Sequence, residues 1–198
     1  MPTWLNTLLE KWPDFVINVL GVALGFIGGW WSSSNIAKWQ VKKQKEDQER
    51  KDFDTLKFLF QRTVLELRDN RNKTENLCRT IELSRNSRKD MWEWVNAIAD
   101  TYLFDAYYEL MKSGTSRLLL TDIQNELFTS YEMIVDLTHM IKQSKAAHSF
   151  YLGYAADEDS ANMQFNNTKT YATTVFEHLT YAVDIVYKHN NLIKNETR

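Results

Sequence analysis

Helix breakers are nearly absent from this 198-residue chain. Proline stands only at positions 2 and 13, and beyond Gly29 the only glycines are Gly114 and Gly153. So few interruptions exclude a turn-rich β architecture and predict long helices. The single cysteine, Cys78, excludes an intramolecular disulfide and fits a reducing compartment. A net charge of −2 gives no global attraction for polyanions, so a DNA or RNA duplex is not an expected partner. There is no glycine-rich phosphate loop and no His-Glu-x-x-His motif. No stretch reads as a strand, and no internal repeat is found. The glycosylation-type triplets at Asn72, Asn166 and Asn195 are short enough to arise by chance.

Charge is also missing from one long stretch. Phe15 to Trp31, "FVINVLGVALGFIGGWW", carries no ionisable group. A secretory signal would have a basic head and a small-residue cleavage site. Here Lys11 is offset by Glu10 and Asp14, and the run ends in Gly-Gly-Trp-Trp. A buried core helix, or an amphipathic hairpin packed on a soluble domain, is the rival reading. The flanking indoles favour a membrane. Trp12 and Trp31 lie about 28 Å apart on a helix rising ~1.5 Å per residue, close to the roughly 30 Å of hydrocarbon in a bilayer. Before this span the only basic side chain is Lys11; after it come Lys38, Lys42, Lys43 and Lys45, then Arg50 and Lys51. The positive-inside rule places the long C-terminal part in the cytoplasm. The expected order is a short extracytoplasmic segment (1–14), a transmembrane helix (15–36), a basic stalk (37–52) and a helical cytoplasmic domain (53–198). "TWLNTLLEKW" has an apolar face suited to lying along the outer surface.

The span's small residues fall in register. Gly21, Gly25 and Gly29 are spaced by four, the small-xxx-small pattern that lets backbones approach in lipid. A second stripe, Asn18, Gly21, Gly25, Gly28, Ser32 and Asn35, alternates steps of three and four. An amide facing lipid is costly, so Asn18 should meet a partner helix or water. This glycine-zipper seam predicts a homo-oligomer in contact with membrane lipid. The seam serves either as passive packing or as a gate that admits water.

The cytoplasmic part reads as a four-helix-bundle-like, all-α domain. "KKQKEDQERKD" is a mixed-charge run that reads as an exposed helical stalk or as a flexible linker. The first stripe is Phe53, Leu56, Phe60, Val64, Leu67, Leu77, Cys78 and Ile81, on a helix reaching about Ser84, with a break near Asn70–Lys73 as the alternative to a continuous helix. Asp90 and Glu93 form a capping box opening a second helix, whose apolar stripe runs to Met111 and whose end is marked by Lys112 and Gly114. Ser116 or Thr121 starts a third, Thr121 and Gln124 forming a capping box, with Ile123, Leu127, Tyr131, Ile134, Leu137 or Thr138, and Ile141 inside. Residues 146–165 interrupt the pattern and read as a loop, a candidate docking segment for a cytosolic partner (Phe150–Phe165). A fourth helix is expected over Asn167–Asn191.

Catalytic constellations are scarce. Cys78 sits on the apolar stripe. Asp136 and His139 give one carboxylate–imidazole pair. A di-iron bundle needs two such pairs with further glutamates, for which Glu66, Glu109 and Glu126 are the candidates. The second histidine is missing, so a metal enzyme is the least favoured reading and no cofactor is expected. His178 and His189 are eleven apart and can share a helix face, but singly placed histidines are usually surface or satisfied core residues. An anionic ligand has better support. From Lys38 to Asp90 basic residues outnumber acidic ones by five, and from Met91 onward acidic ones lead by six. Arg79, Arg85, Arg88 and Lys89 precede Trp92 and Trp94, and guanidinium groups beside indoles suit the phosphates and base of a nucleotide. Arg71 and Lys73 add to this cluster. A solvated face with pairs such as Glu75–Arg79 explains the same residues.

"LELRDNRNKTENL", with Glu66 and Asn70 four apart, resembles the Leu-x-Glu-Leu-x-x-Asn opening of the soluble helix in small single-pass membrane proteins of prokaryotes. The glycine-rich anchor, basic stalk and helical domain extend the likeness over the whole chain. Some proteins of this layout are antiviral effectors; in type III CRISPR signalling a cytoplasmic domain binds a cyclic oligoadenylate and perturbs an oligomeric membrane segment. The resemblance implies a non-enzymatic effector in a bacterial inner membrane, antiviral defence as its setting, and a nucleotide second messenger as ligand. It transfers no ligand contact to a residue of this sequence.

Overall fold

With no proline after Pro13 and no glycine between Gly29 and Gly114, nothing local stops a helix from residue 30 onward through the first part of the chain. In the computed structural model α1 accordingly runs from Thr3 to Leu83. It is followed by α2 (Arg88–Ala99), α3 (Asp105–Lys112), a 3-10 turn (Thr115–Leu118), α4 (Thr121–Tyr154) and α5 (Glu158–Asn195). The structure describes residues 3–83, 88–154 and 158–195, and no strand occurs among them.

The chain divides between Lys51 and Asp52 into two units. In the first, every described side chain from Val16 to Lys51 is exposed except half-buried Ser34. Leu24 and Phe26, 68% and 77% exposed, belong to a contiguous exposed apolar surface.

The second unit holds the apolar core. From α1 the stripe Phe53, Leu56, Phe60, Thr63, Leu67, Asn70, Thr74, Leu77 and Ile81 steps by three and four; Phe53 is half-buried and the rest are buried. That spacing keeps one face of a helix inward. α2 adds Met91, Trp92, Val95 and Ala99, and α3 adds Ala106, Tyr107 and Leu110. α4 packs on both α5 and α2. It contributes Ile123, Leu127, Tyr131, Ile134, Leu137 and Ile141, and α5 contributes Ala172, Val175, Leu179, Ala182, Val186 and Ile193. Each large apolar side chain removed from water stabilises the unit by roughly 1.5–3 kcal/mol.

Three expectations need correction. α1 has no break at Asn70–Lys73; Asn70 and Thr74 are fully buried there. The helix expected from Asp90 to Met111 is two helices, α2 and α3, separated at residues 100–104. The presumed loop over 146–165 is helical through Tyr154 and again from Glu158, so α5 begins well before Asn167. Aromatic and acidic residues blur the apolar stripe there, yet none is a strong breaker, and Ala146 and Ala147 are good helix formers. The end of α3 does follow its sequence signal. Lys112 lies in the last turn, Ser113 is the C-cap, and Gly114 takes the left-handed conformation at φ 70° that glycine tolerates at that position.

Candidate functional site

The best-built polar site joins α1 to the turn between α2 and α3. Glu66, Asn70, Lys73 and Thr74 recur at steps of four, three and one, so they project from one side of α1. Lys73 Nζ donates to the Thr101 carbonyl at 2.6 Å. Thr74 Oγ1 lies 2.9 Å from the Tyr102 hydroxyl. Asn70 holds Leu103 twice: its Nδ2 donates to the carbonyl at 2.7 Å, and its Oδ1 accepts from the amide at 2.9 Å. Glu66 accepts from the Ala106 amide at 2.8 Å and the Tyr107 amide at 3.2 Å.

Those amides belong to the first turn of α3, where helix N–H groups lack intrahelical partners. The N-cap Phe104 has no side-chain oxygen to offer. A carboxylate from α1 does what a local Ser or Asp would do, and its charge complements the positive end of the helix dipole. Tyr131 on α4 completes the cluster, its hydroxyl donating to Glu66 Oε1 at 2.7 Å. Burial, reinforced by the Glu66 carboxylate it donates to, raises the Tyr131 hydroxyl far above the usual tyrosine range. The Tyr131 ring stacks on Tyr107 with centroids 4.1 Å apart. Arg62, which pairs with Glu109, ties α1 to α3 again. Both Glu66 oxygens are engaged by neutral donors, so this cluster is a structural clamp. The Glu66–Asn70 spacing is visible in the sequence but its purpose is not, because the receiving turn lies more than thirty residues away.

Of the residues expected to hold an anionic ligand, Trp92 is placed in the core. Trp92 is 4% exposed and meets Phe165 edge-on with centroids 6.2 Å apart, so it is a core residue and offers no face for a base. Trp94 is exposed. Arg79 is tied to Glu75 at 2.6 Å, the helix pair anticipated from the sequence. Arg71 lies over the Phe176 ring, 5.1 Å from its centroid, and Nε donates to Thr180 Oγ1 at 3.4 Å. Lys73 belongs to the clamp. Arg85 lies outside the described residues, as do the side chains of Arg88 and Lys89 in α2. The Phe150–Phe165 docking segment is likewise largely outside the described side chains; within it Met163 is exposed.

The carboxylates considered for a metal are dispersed. Glu66 is clamped, Glu109 pairs with Arg62, and Glu126 Oε1 lies 3.3 Å from His178 Nε2. Among the described residues no group of three or more His, Cys, Asp or Glu side chains could hold a metal ion. Ser130 Oγ also approaches His178 Nε2, at 3.2 Å. A serine–histidine–acid relay needs its serine and acid on opposite ring nitrogens. Here both face the same nitrogen, and Ser130 is fully buried. The arrangement supports packing of α4 on α5.

On the first unit, α1 is long and apolar enough to cross a membrane, and it is the one such helix among the described residues. Gly21, Gly25, Gly28 and Gly29 have no side chain or foreign backbone within 4 Å of where a Cβ would stand. The seam with Asn18 and Ser32 is thus an open, shallow face. Trp31, Ser32, Asn35, Ile36 and Trp39 line the next part of the helix surface. Beyond it lie Lys38, Lys42, Lys43 and Lys45. Lys43 sits 5.1 Å from the Trp39 ring, while Lys42 and Lys45 pair along the helix with Glu46 and Glu49 at 3.9 and 3.8 Å.

These observations define an all-α protein with one candidate membrane-spanning helix. No family model matches the chain, and neither a curated protein nor a solved structure matches it significantly.

Proposed function

We propose that the chain is a non-enzymatic, membrane-anchored homo-oligomeric effector. Residues 15–36 of α1 cross a bacterial inner membrane. The second unit lies in the cytoplasm as a four-helix-bundle-like domain built from α1 beyond residue 52, α2 with α3, α4 and α5. Sister spans pack along Asn18, Gly21, Gly25, Gly28 and Ser32, and rearrangement of that seam perturbs the membrane. The observation that carries this reading is the exposed apolar window of α1, none of which is buried. Such a surface needs lipid or another protein to cover it, and its glycines suit close approach of helices in lipid. The basic residues at 38–45 favour a cytoplasmic second unit. With Trp92 in the core, a stacked nucleotide base is not part of this proposal.

The test is expression of the full chain in bacteria with membrane potential followed by a fluorescent dye. Depolarisation is expected, and Gly21→Leu or Gly25→Leu should abolish it while the protein still fractionates with membranes. Replacing the span by an unrelated single anchor should also abolish it. Retained activity after that swap would identify a passive anchor and defeat the effector reading.

A further inference from the structure

The three-four alternation of the span does not stop at the membrane surface. From Asn35 it passes through Trp39, Lys42, Glu46 and Glu49 to Phe53 without a skipped step, within one helix. Beyond Phe53 the same alternation marks the side chains buried against the chain's own helices. One register thus carries three chemistries in turn: small and amide groups, then charges, then core.

In a parallel assembly of identical helices, each stripe position meets its own copy at the same level. Through Gly28, Ser32 and Asn35 that meeting is tolerable, because the groups are small or can hydrogen-bond to one another. At Lys42 it sets ammonium against ammonium, and at Glu46 and Glu49 carboxylate against carboxylate. Like charges at such positions oppose association. Lys42 and Glu46 pair within their own helix at 3.9 Å, with side chains 77% and 62% exposed, so both stay solvated. Past Phe53 the stripe is already covered. We infer that sister α1 helices pack in parallel only as far as Trp39 and separate at Lys42. The charged stalk acts as the stop that leaves each α1 free to close on its own α2–α5.

This inference rests on the oligomeric reading above, and one experiment separates the two. In a Cys78→Ala background, single cysteines are placed at Ser32, Asn35, Lys42, Glu46 and Glu49 of the full chain and oxidised in native membranes. Disulfide-linked dimers are expected from Ser32→Cys and Asn35→Cys, with loss of the dimer band from the other three positions. Adding Glu46→Leu and Glu49→Leu to Lys42→Cys should restore it, because the stripe is then apolar. Dimers at 42, 46 and 49 as strong as those at 32 and 35 would overturn the stop while leaving the oligomer intact. No dimer at any position, from chains that remain in the membrane, would overturn the oligomer and the stop together.

Discussion

Glu66 is a buried carboxylate whose partners are all neutral donors, two amides and a hydroxyl. Removing it strands those donors away from water, at about 1–3 kcal/mol for each buried group left unpaired. Glu66→Ala should therefore cost the second unit roughly 3 kcal/mol or more, near the upper end for point substitutions. Urea unfolding of the detergent-solubilised chain, followed by helical circular dichroism, measures this. Glu66→Gln keeps the shape and one acceptor, so it should fall between wild type and Glu66→Ala. An unchanged midpoint in Glu66→Ala would mean that α3 does not depend on a cap from α1. A second residue-level consequence concerns alkaline pH. Burial, with Glu82 nearby, lifts the Cys78 thiol from 9.0 to about 11. Burial lifts the Tyr102 hydroxyl from 10.0 to about 12 against the lowering effect of its bond to Thr74. Between the unfolded and folded values the folded chain binds more protons than the unfolded one, so stability falls as pH rises. The urea midpoint should hold up to about pH 9 and decline from there toward pH 12. Cys78→Ala should flatten the first part of that decline. Equal midpoints at pH 8 and pH 10.5 would contradict both assignments.

At the scale of elements, what could be read from the sequence was what depends on neighbours along the chain. The stripes of α4 and of α1 beyond Phe53 follow from three-four spacing, and Ile123, Leu127, Tyr131, Ile134, Leu137 and Ile141 are all buried as that spacing requires. Lys112 and Gly114 mark the end of α3 because helix termination is a local matter. The break between α2 and α3 was not legible. Tyr102 and Leu103 continue the apolar pattern, and no glycine or proline stands near them. The chain leaves the helix there because Asn70 supplies Leu103 with both a donor and an acceptor, and Glu66 caps the next helix. The same residues explain the false break at Asn70–Lys73: polar groups that look like an interruption of the stripe are inward-facing and satisfied. Trp92 was misplaced for a related reason. An indole beside basic residues reads as a stacking platform, and only Phe165, more than seventy residues on, shows that its ring belongs to the core. The seam of the span is legible as a pattern, but among the described residues nothing lies within 4 Å of where a Cβ on its glycines would stand.

For the whole molecule, the division at Lys51 and Asp52 makes a claim about independence. Among the described residues every buried apolar side chain lies between Leu56 and Ile193. The clamp, the Tyr107–Tyr131 stack and the α4–α5 contacts also fall within that range. About 145 residues suffice for a core of their own. A fragment of residues 52–198 should therefore be soluble without detergent and unfold cooperatively, whereas the full chain should sediment with membranes and need detergent for release. Sedimentation of the fragment then locates the source of assembly. If sister contacts reside in the small-residue stripe of the span and end before Lys42, the fragment is a monomer at concentrations where the solubilised full chain is an oligomer. If the fragment assembles as well, the soluble unit supplies an interface of its own, and Gly21→Leu would no longer be expected to separate the subunits. A fragment that is aggregated, or that lacks a cooperative transition, would show that the first unit supports the fold, and the two-unit description would have to be abandoned.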